Sequence, residues 1–222
     1  NSITKALERV RLSAVTIWVS SLRENTVQKR LTEIIKTHDI QAIITTTSFS
    51  ISKYEDSNLE SNFWDNFNIP LYQLLSSSNS KKIWDKSSIG LDPLNLSLQI
   101  VLPELDGRIT TRPCAFRETL RTDDNLSNNI TYMKPYNVNI DWVAKHIYNW
   151  IVLKHTNINK KKISIILSNY PIRNGRIANG VGLDTPQSVV EILNWLKEEG
   201  LYFSKPIPKD SSELMNNILK VR

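Results

Sequence analysis

The chain has 222 residues, a formal net charge of +6, 40% hydrophobic and 23% charged residues, which suits a globular protein with a real core. No apolar run approaches the roughly 18 residues of a membrane span, and a single cysteine, Cys114, excludes an internal disulfide framework and a Cys-rich metal site. The basic runs Lys81-Lys82 and Lys160-Lys161-Lys162 are short and have no interleaved aromatics, so nucleic-acid binding is not expected and the scattered arginines suit an anionic small molecule better.

In chain order, SAVTIWVSSL (13–22) is apolar and β-branched and predicts a buried strand. Val27, Leu31, Ile34 and Ile35 then recur at helical spacing. DIQAIITTTSF (39–49) predicts a second strand, residues 51–68 a polar loop or short helix, and IPLYQLLSS (69–77) a third strand. Asp92 and Pro93 read as N-cap and first helical residue, opening a helix whose face is Leu94, Leu98, Val101 and Leu102 and which Pro103 should stop. RITTRPCAF (108–116) predicts a strand, and 118–137 has no periodicity and reads as an irregular excursion. Val143, Ile147, Trp150 and Ile151 mark a helix over about 140–155, KISIILSNY (162–170) a buried strand, and Val189, Ile192, Leu193 and Leu196 a helix closed by Gly200. A short helix starts near Ser211.

Strands alternating with helices imply an α/β fold, a parallel-sheet, Rossmann-like layered sandwich built from two sequential α/β halves. The expected division is 1–117, an irregular connection 118–137, and 138–222. Gly90-Leu91-Asp92-Pro93 is echoed by Gly182-Leu183-Asp184-Thr185-Pro186, which convergent capping explains. The chain opens on Asn1, which suggests a piece of a longer polypeptide. Without a leader or lipidation motif, a cytoplasmic location is expected.

Two stretches could carry chemistry. NYPIRNGRIANGVGLDTP (169–186) lies between a predicted strand and a predicted helix. Gly175-x4-Gly180 has the spacing of a P-loop, but Val181 and Gly182 stand where the phosphate-binding Lys and Ser/Thr are needed. The dinucleotide fingerprint fails as well, with Thr185 at the third glycine and no second strand bearing an acid. What remains is a loop with two planar cations, Arg173 and Arg176, suited to carboxylates. It also holds two amides, Asn174 and Asn179, and glycines that permit close approach. A plain β–α connection capped by Asp184 or Thr185 explains it equally well. In the second stretch, Glu104, Asp106, Arg108 and Arg112 cluster at a helix C-terminus. Acids there oppose the helix dipole, which hints at function; a tight turn with a structural Asp–Arg pair is the alternative. His38, His146 and His155 have no histidine at i+4 and suggest no metal pair.

LPELDGRITTRP (102–113) and SNYPIRNGRIANGVGLDTPQS (168–188), supported by 39–50 and 68–108, resemble the large subunit of aerobic cobaltochelatase, a family related to the magnesium chelatase large subunit. The resemblance runs over nearly the whole chain, and that subunit is much longer, so an internal fragment is implied. It further implies ATP-dependent insertion of Co2+, the substrate metal, into hydrogenobyrinic acid a,c-diamide during cobalamin biosynthesis. ATP and Mg2+ would sit on two partner ATPase subunits, consistent with the missing Walker motif. A magnesium chelatase domain acting on protoporphyrin IX, and a non-catalytic scaffold contacting the ATPase subunits or sister domains, are the alternatives. Within that reading Glu104 is the expected base or transient metal ligand, assisted by Asp106. Arg108, Arg112, Arg173, Asn174, Arg176 and Asn179 would bind substrate. Gly175, Gly180 and Gly182 would let the loop approach the ring, and Asp184 would anchor it.

Overall fold

A computed structural model describes residues 2–52, 63–123, 128–169, 177–180 and 182–220. The chain divides into two compact units, Asn1–Ile151 and Val152–Arg222, and each is taken by itself. No helix among the described residues is long and apolar enough to cross a membrane.

The first unit is a mixed four-stranded sheet in the order β1 (Ile43–Thr45), β2 (Leu71–Ser77), β3 (Ile109–Asp123), β4 (Asn128–Pro135). The first three strands are parallel and β3–β4 is an antiparallel hairpin. Helices α1 (Ser2–Arg9), α2 (Asn25–Thr37), α3 (Lys81–Lys86), α4 (Pro93–Leu96), α5 (Leu102–Glu104) and α6 (Asn137–His155) accompany it. Period-2 alternation splits β2 between two faces. Tyr72 and Leu74 join Ala6, Leu7, Cys114, Ile140, Val143, Ala144 and Ile147 in one core under α6 and α1, while Gln73 faces the other side and hydrogen-bonds there to Arg108.

Several elements differ from expectation. Residues 12–19 are not sheet-paired, and Trp18 is 94% exposed. A β-branched run supplies strand propensity, but a strand exists only where a neighbour accepts its ladder. The expected strand 39–49 contracts to three residues because the chain from Thr47 onward is drawn onto other hydrogen-bond partners. Residues 118–137, expected to be irregular, are largely the β3–β4 arm; their polar composition reflects a hairpin with little core to cover, so no hydrophobic period marks it.

The helix after Asp92 also runs differently. Between α4 and α5 the chain makes a π turn at Ser97–Val101, with Leu102 N–H donating to the Ser97 carbonyl. Widening of the backbone there accommodates Pro103, whose ring would crowd the carbonyl four residues back, and the helix continues to Glu104. The expected apolar face is consequently displaced: Leu94 is 66% exposed, Pro103 is buried, and so is Gln99. Its amide bonds the Ser76 N–H (2.8 Å) and carbonyl (3.0 Å), pinning the helix to β2.

The second unit contains α7 (Thr185–Glu198) and α8 (Ser211–Lys220), with Val189, Val190 and Leu214 at its centre. Residues 161–168 carry no sheet assignment, so the expected second parallel-sheet half has no sheet among the described residues. Gly200 (φ +93°) ends α7 in a Schellman motif, its N–H bonding Lys197 O and the Leu201 N–H bonding Leu196 O.

The sequence echo has one physical cause. Gly90 (φ +78°) and Gly182 (φ +75°) both take left-handed backbone, and two residues on Asp92 and Asp184 cap helices by accepting from Asn95 N–H and Gln187 N–H. Asp92 also accepts from Ser78 Oγ at 2.7 Å. The Asn95 N–H, the Ser78 hydroxyl and the Asn95 amide, in that order, lower its carboxyl pKa to about 2. The charged form is therefore favoured in the folded state, so its stabilising contribution is present above the ordinary carboxylate range and lost as pH falls toward 2. Asp92→Asn keeps a cap but removes the titration, and its unfolding free energy should fall less steeply than wild type between about pH 4 and pH 2 in urea titrations; equal slopes would show that the cap is not titrating.

Candidate functional site

The turn between α5 and β3 is organised by a buried ion pair. Asp106 and Arg108 meet at 2.7 Å with both side chains wholly excluded from solvent. The Asp106 carboxylate accepts from the Ile51 N–H with both oxygens, from the Ser52 N–H, all at 3.0 Å, and from Arg108 Nε at 3.1 Å. Arg108 donates from Nη1 to the Thr47 carbonyl and to Gln73 Oε1, each 2.8 Å, and from Nη2 to the Phe49 carbonyl at 2.8 Å and to Asp106. All five guanidinium N–H groups are thereby used. The pair clamps the loop after β1 onto the turn before β3. Arg23 Nε adds a bond to the Ser50 carbonyl at 2.8 Å, and Phe49 N–H reaches Leu98 O at 3.2 Å.

This arrangement divides the residues expected to act together. Asp106 and Arg108 have no free hydrogen-bonding capacity for a substrate, and the geometry gives them a structural role. Glu104 is exposed, and among the described residues its carboxylate makes no hydrogen bond or ion pair. Among those residues no group of three or more His, Cys, Asp and Glu is placed to hold a metal ion. Among the described residues Glu104 therefore belongs to no preformed metal cage.

Arg112 is the opposite of Arg108. It is exposed, its side-chain N–H groups bond no protein acceptor among the described residues, and its guanidinium lies 4.1 Å above the Trp142 ring. Trp142 stacks in turn on His146 at 4.9 Å and 11°, and His146 meets Tyr72 edge-on at 5.8 Å. Stacking holds a guanidinium by its face and leaves its in-plane donors available. Arg112 thus reaches the α6 side of the sheet, whereas Arg108, through Gln73, occupies the other. Burial pushes the Tyr72 phenol up to about 12 and the Cys114 thiol up to about 12, so neither is a ready nucleophile or base near neutrality.

In the second unit, Arg173, Asn174, Gly175 and Arg176 lie outside the described residues. Asn179 is exposed. Asp184 caps α7 through Gln187 N–H at 3.1 Å. Gly180 leaves no room for a side chain, because a Cβ would stand 2.7 Å from Thr185 Oγ1. Gly180, Gly182 and Asp184 therefore shape the loop and the helix start.

Sequence reasoning missed Phe49, Gln73, Trp142 and His146. Gln73 in the otherwise apolar LYQLL run was a legible signal of a buried polar contact. The i, i+4 pair Trp142–His146 was a legible aromatic stack.

A family model described as CobN/Magnesium Chelatase matches residues 1–222. The chain is 31% identical to the aerobic cobaltochelatase subunit CobN of Pseudomonas aeruginosa over 94% of its length and 16% of the relative's. It is 29% identical to CobN of a Sinorhizobium species over 98% of its length and 17% of the relative's. The chloroplastic ChlH subunit of magnesium chelatase from Oryza sativa is 25% identical over 61% of this chain and 9% of that protein. The fold matches the catalytic subunit of cobaltochelatase from Mycobacterium tuberculosis with a TM-score of 0.80 at 24% identity, over 99% of this chain and 18% of that one. The chain thus spans about a sixth of the length of the CobN relatives.

Asp106→Asn should cost about 3–5 kcal/mol, because it leaves the Arg108 charge buried without its counter-ion. Urea unfolding would measure the loss, and amide hydrogen exchange at Ile51 and Ser52 should accelerate; unchanged stability would show that the clamp is dispensable.

Proposed function

Because the chain belongs to the CobN/Magnesium Chelatase family, we propose that it is a domain of the tetrapyrrole-binding large subunit of an ATP-dependent metal chelatase, and that Glu104 carries the proton chemistry of insertion. The observation behind the assignment is the contrast between the two acids of the turn: Asp106 is saturated, and Glu104 is exposed beside it on the same fixed backbone.

The proposed metal is Co2+ and the proposed acceptor is hydrogenobyrinic acid a,c-diamide, which places the reaction in cobalamin biosynthesis. Higher identity to the CobN subunits over nearly the whole chain, against lower identity to the ChlH subunit over a shorter stretch, favours cobalt. Replacing ring N–H protons by a divalent ion releases those protons and strips water from the ion. A carboxylate serves both needs, since it accepts a proton and ligates a divalent cation. Glu104 would take a ring proton and pass it to solvent. ATP with its Mg2+ would act on two partner subunits in the cytoplasm.

Arg112 is proposed to bind a peripheral carboxylate of the macrocycle, because its donors are unspent among the described residues and its orientation is set by Trp142. Arg173 and Arg176, with Asn174 and Asn179, are proposed for the same kind of contact, and Gly175 for close approach of that loop. A scaffold role toward the ATPase subunits or sister domains is the second reading, favoured by the nearly full exposure of Trp18 and Ile166.

In the full-length large subunit assembled with its ATPase partners, Glu104→Gln should bind the corrin normally and insert cobalt about 100-fold or more slowly. Insertion at the wild-type rate would remove Glu104 from the chemistry. In the same protein, Arg112→Ala should weaken corrin affinity roughly tenfold; unchanged affinity would assign Arg112 to a protein contact and support the scaffold reading of that face.

A further inference from the structure

The clamp fixes the main chain of the loop after β1, and one side chain in that loop is left over. Phe49 has φ +66°, a left-handed conformation that is an outlier for a bulky residue. The conformation is over-determined: its N–H bonds Leu98 O, its carbonyl takes Arg108 Nη2, and Thr47 O and Ile51 N–H on either side are held by Arg108 and Asp106. Everything the clamp uses at this position is backbone, so glycine would serve it without strain. The strain does not secure full burial either, because Phe49 remains 51% exposed.

A single exposed aromatic is ordinary; an exposed aromatic on a strained, fully hydrogen-bonded backbone is not. Such strain persists where the surroundings enforce it, and an observed outlier of this kind points toward function. The loop is bonded to the segment that carries Val101 and Leu105, both exposed apolar residues, and Glu104 lies between them in sequence.

We infer that Phe49 is a stacking platform for the face of the tetrapyrrole, held rigid by the Asp106–Arg108 clamp. The inference rests on the macrocycle reading above and adds a positioning contact to it. The conjugated part of the macrocycle gains face or edge contact with phenylalanine. Insertion further requires the ring N–H groups to stay in register with the base, and one clamp joins the segments bearing Phe49 and Glu104, so platform and base move as one body.

The test is an absorbance titration of the full-length large subunit with hydrogenobyrinic acid a,c-diamide, beside thermal unfolding of each variant. Phe49→Gly should keep or raise the thermal midpoint, because glycine relieves the left-handed strain, and should weaken corrin affinity roughly tenfold, as expected for one deleted stacking contact. Phe49→Tyr should bind within about threefold of wild type, since it keeps the ring face. Unchanged affinity in Phe49→Gly overturns the platform while leaving the macrocycle reading intact. A lowered midpoint in Phe49→Gly makes the ring a packing element and overturns it too. Absence of corrin binding by the wild-type subunit overturns both readings together.

Discussion

The Asp106–Arg108 pair decides the shape of everything around it. Removing two charges from water costs several kcal/mol for each ion, and attraction between them offsets that only when the remaining donors and acceptors are also satisfied. Here they are: five guanidinium N–H groups find four acceptor groups, and the carboxylate takes two backbone amides besides. The partners are mainly main-chain groups of residues 47–52. A loop that would otherwise need water for its amides and carbonyls is thereby closed off. The early end of β1 follows from the same bonds, because Thr47 O and the groups beyond it are committed to Arg108, Gln73 and Asp106 instead of a strand ladder.

Elements with local causes were legible in the sequence. Asp92-Pro93 and Asp184 announced helix starts, Gly200 announced a helix end, and the spacing of Val143 and Ile147 gave the buried face of α6. Elements whose existence depends on a partner were not. SAVTIWVSSL and KISIILSNY have strong strand propensity, yet propensity describes how a residue fits a pleated surface and does not supply the neighbouring strand. The antiparallel pairing of β3 with β4 was missed for the converse reason: a strand with little core to cover has no hydrophobic alternation to read. The π turn was hidden because it is an answer to Pro103 and Gln99 together, and neither residue alone signals it.

The candidate site was legible as a neighbourhood and not as a division of labour. Arg108 and Arg112 stand four residues apart and look equivalent in sequence. One has every donor consumed, and among the described residues the other is held by the face of its cation over Trp142 alone. Nothing in the residue types predicts this; it follows from which side of the sheet each reaches, and a bulge or a shifted strand start reverses that assignment. The arginine with unspent donors can exchange water for a ligand carboxylate. The saturated one would have to break the clamp first.

The two acids of the turn can be separated by the same accounting. An acid at a helix C-terminus sits against the negative end of the dipole, which made both Glu104 and Asp106 conspicuous. For Asp106 the local penalty is offset by Arg108 and two amides, so its presence is explained by architecture. Glu104 has no such compensation among the described residues. It stands in the last turn of the helix, within two residues of a buried carboxylate, and its charge raises the cost of the arrangement without stabilising any observed contact. A glutamine would fit the same exposed position without that repulsion. The contacts of the fold therefore account for Asp106 and not for Glu104, and that difference is the physical argument behind the proposal that Glu104 carries the proton chemistry while its neighbours hold the turn.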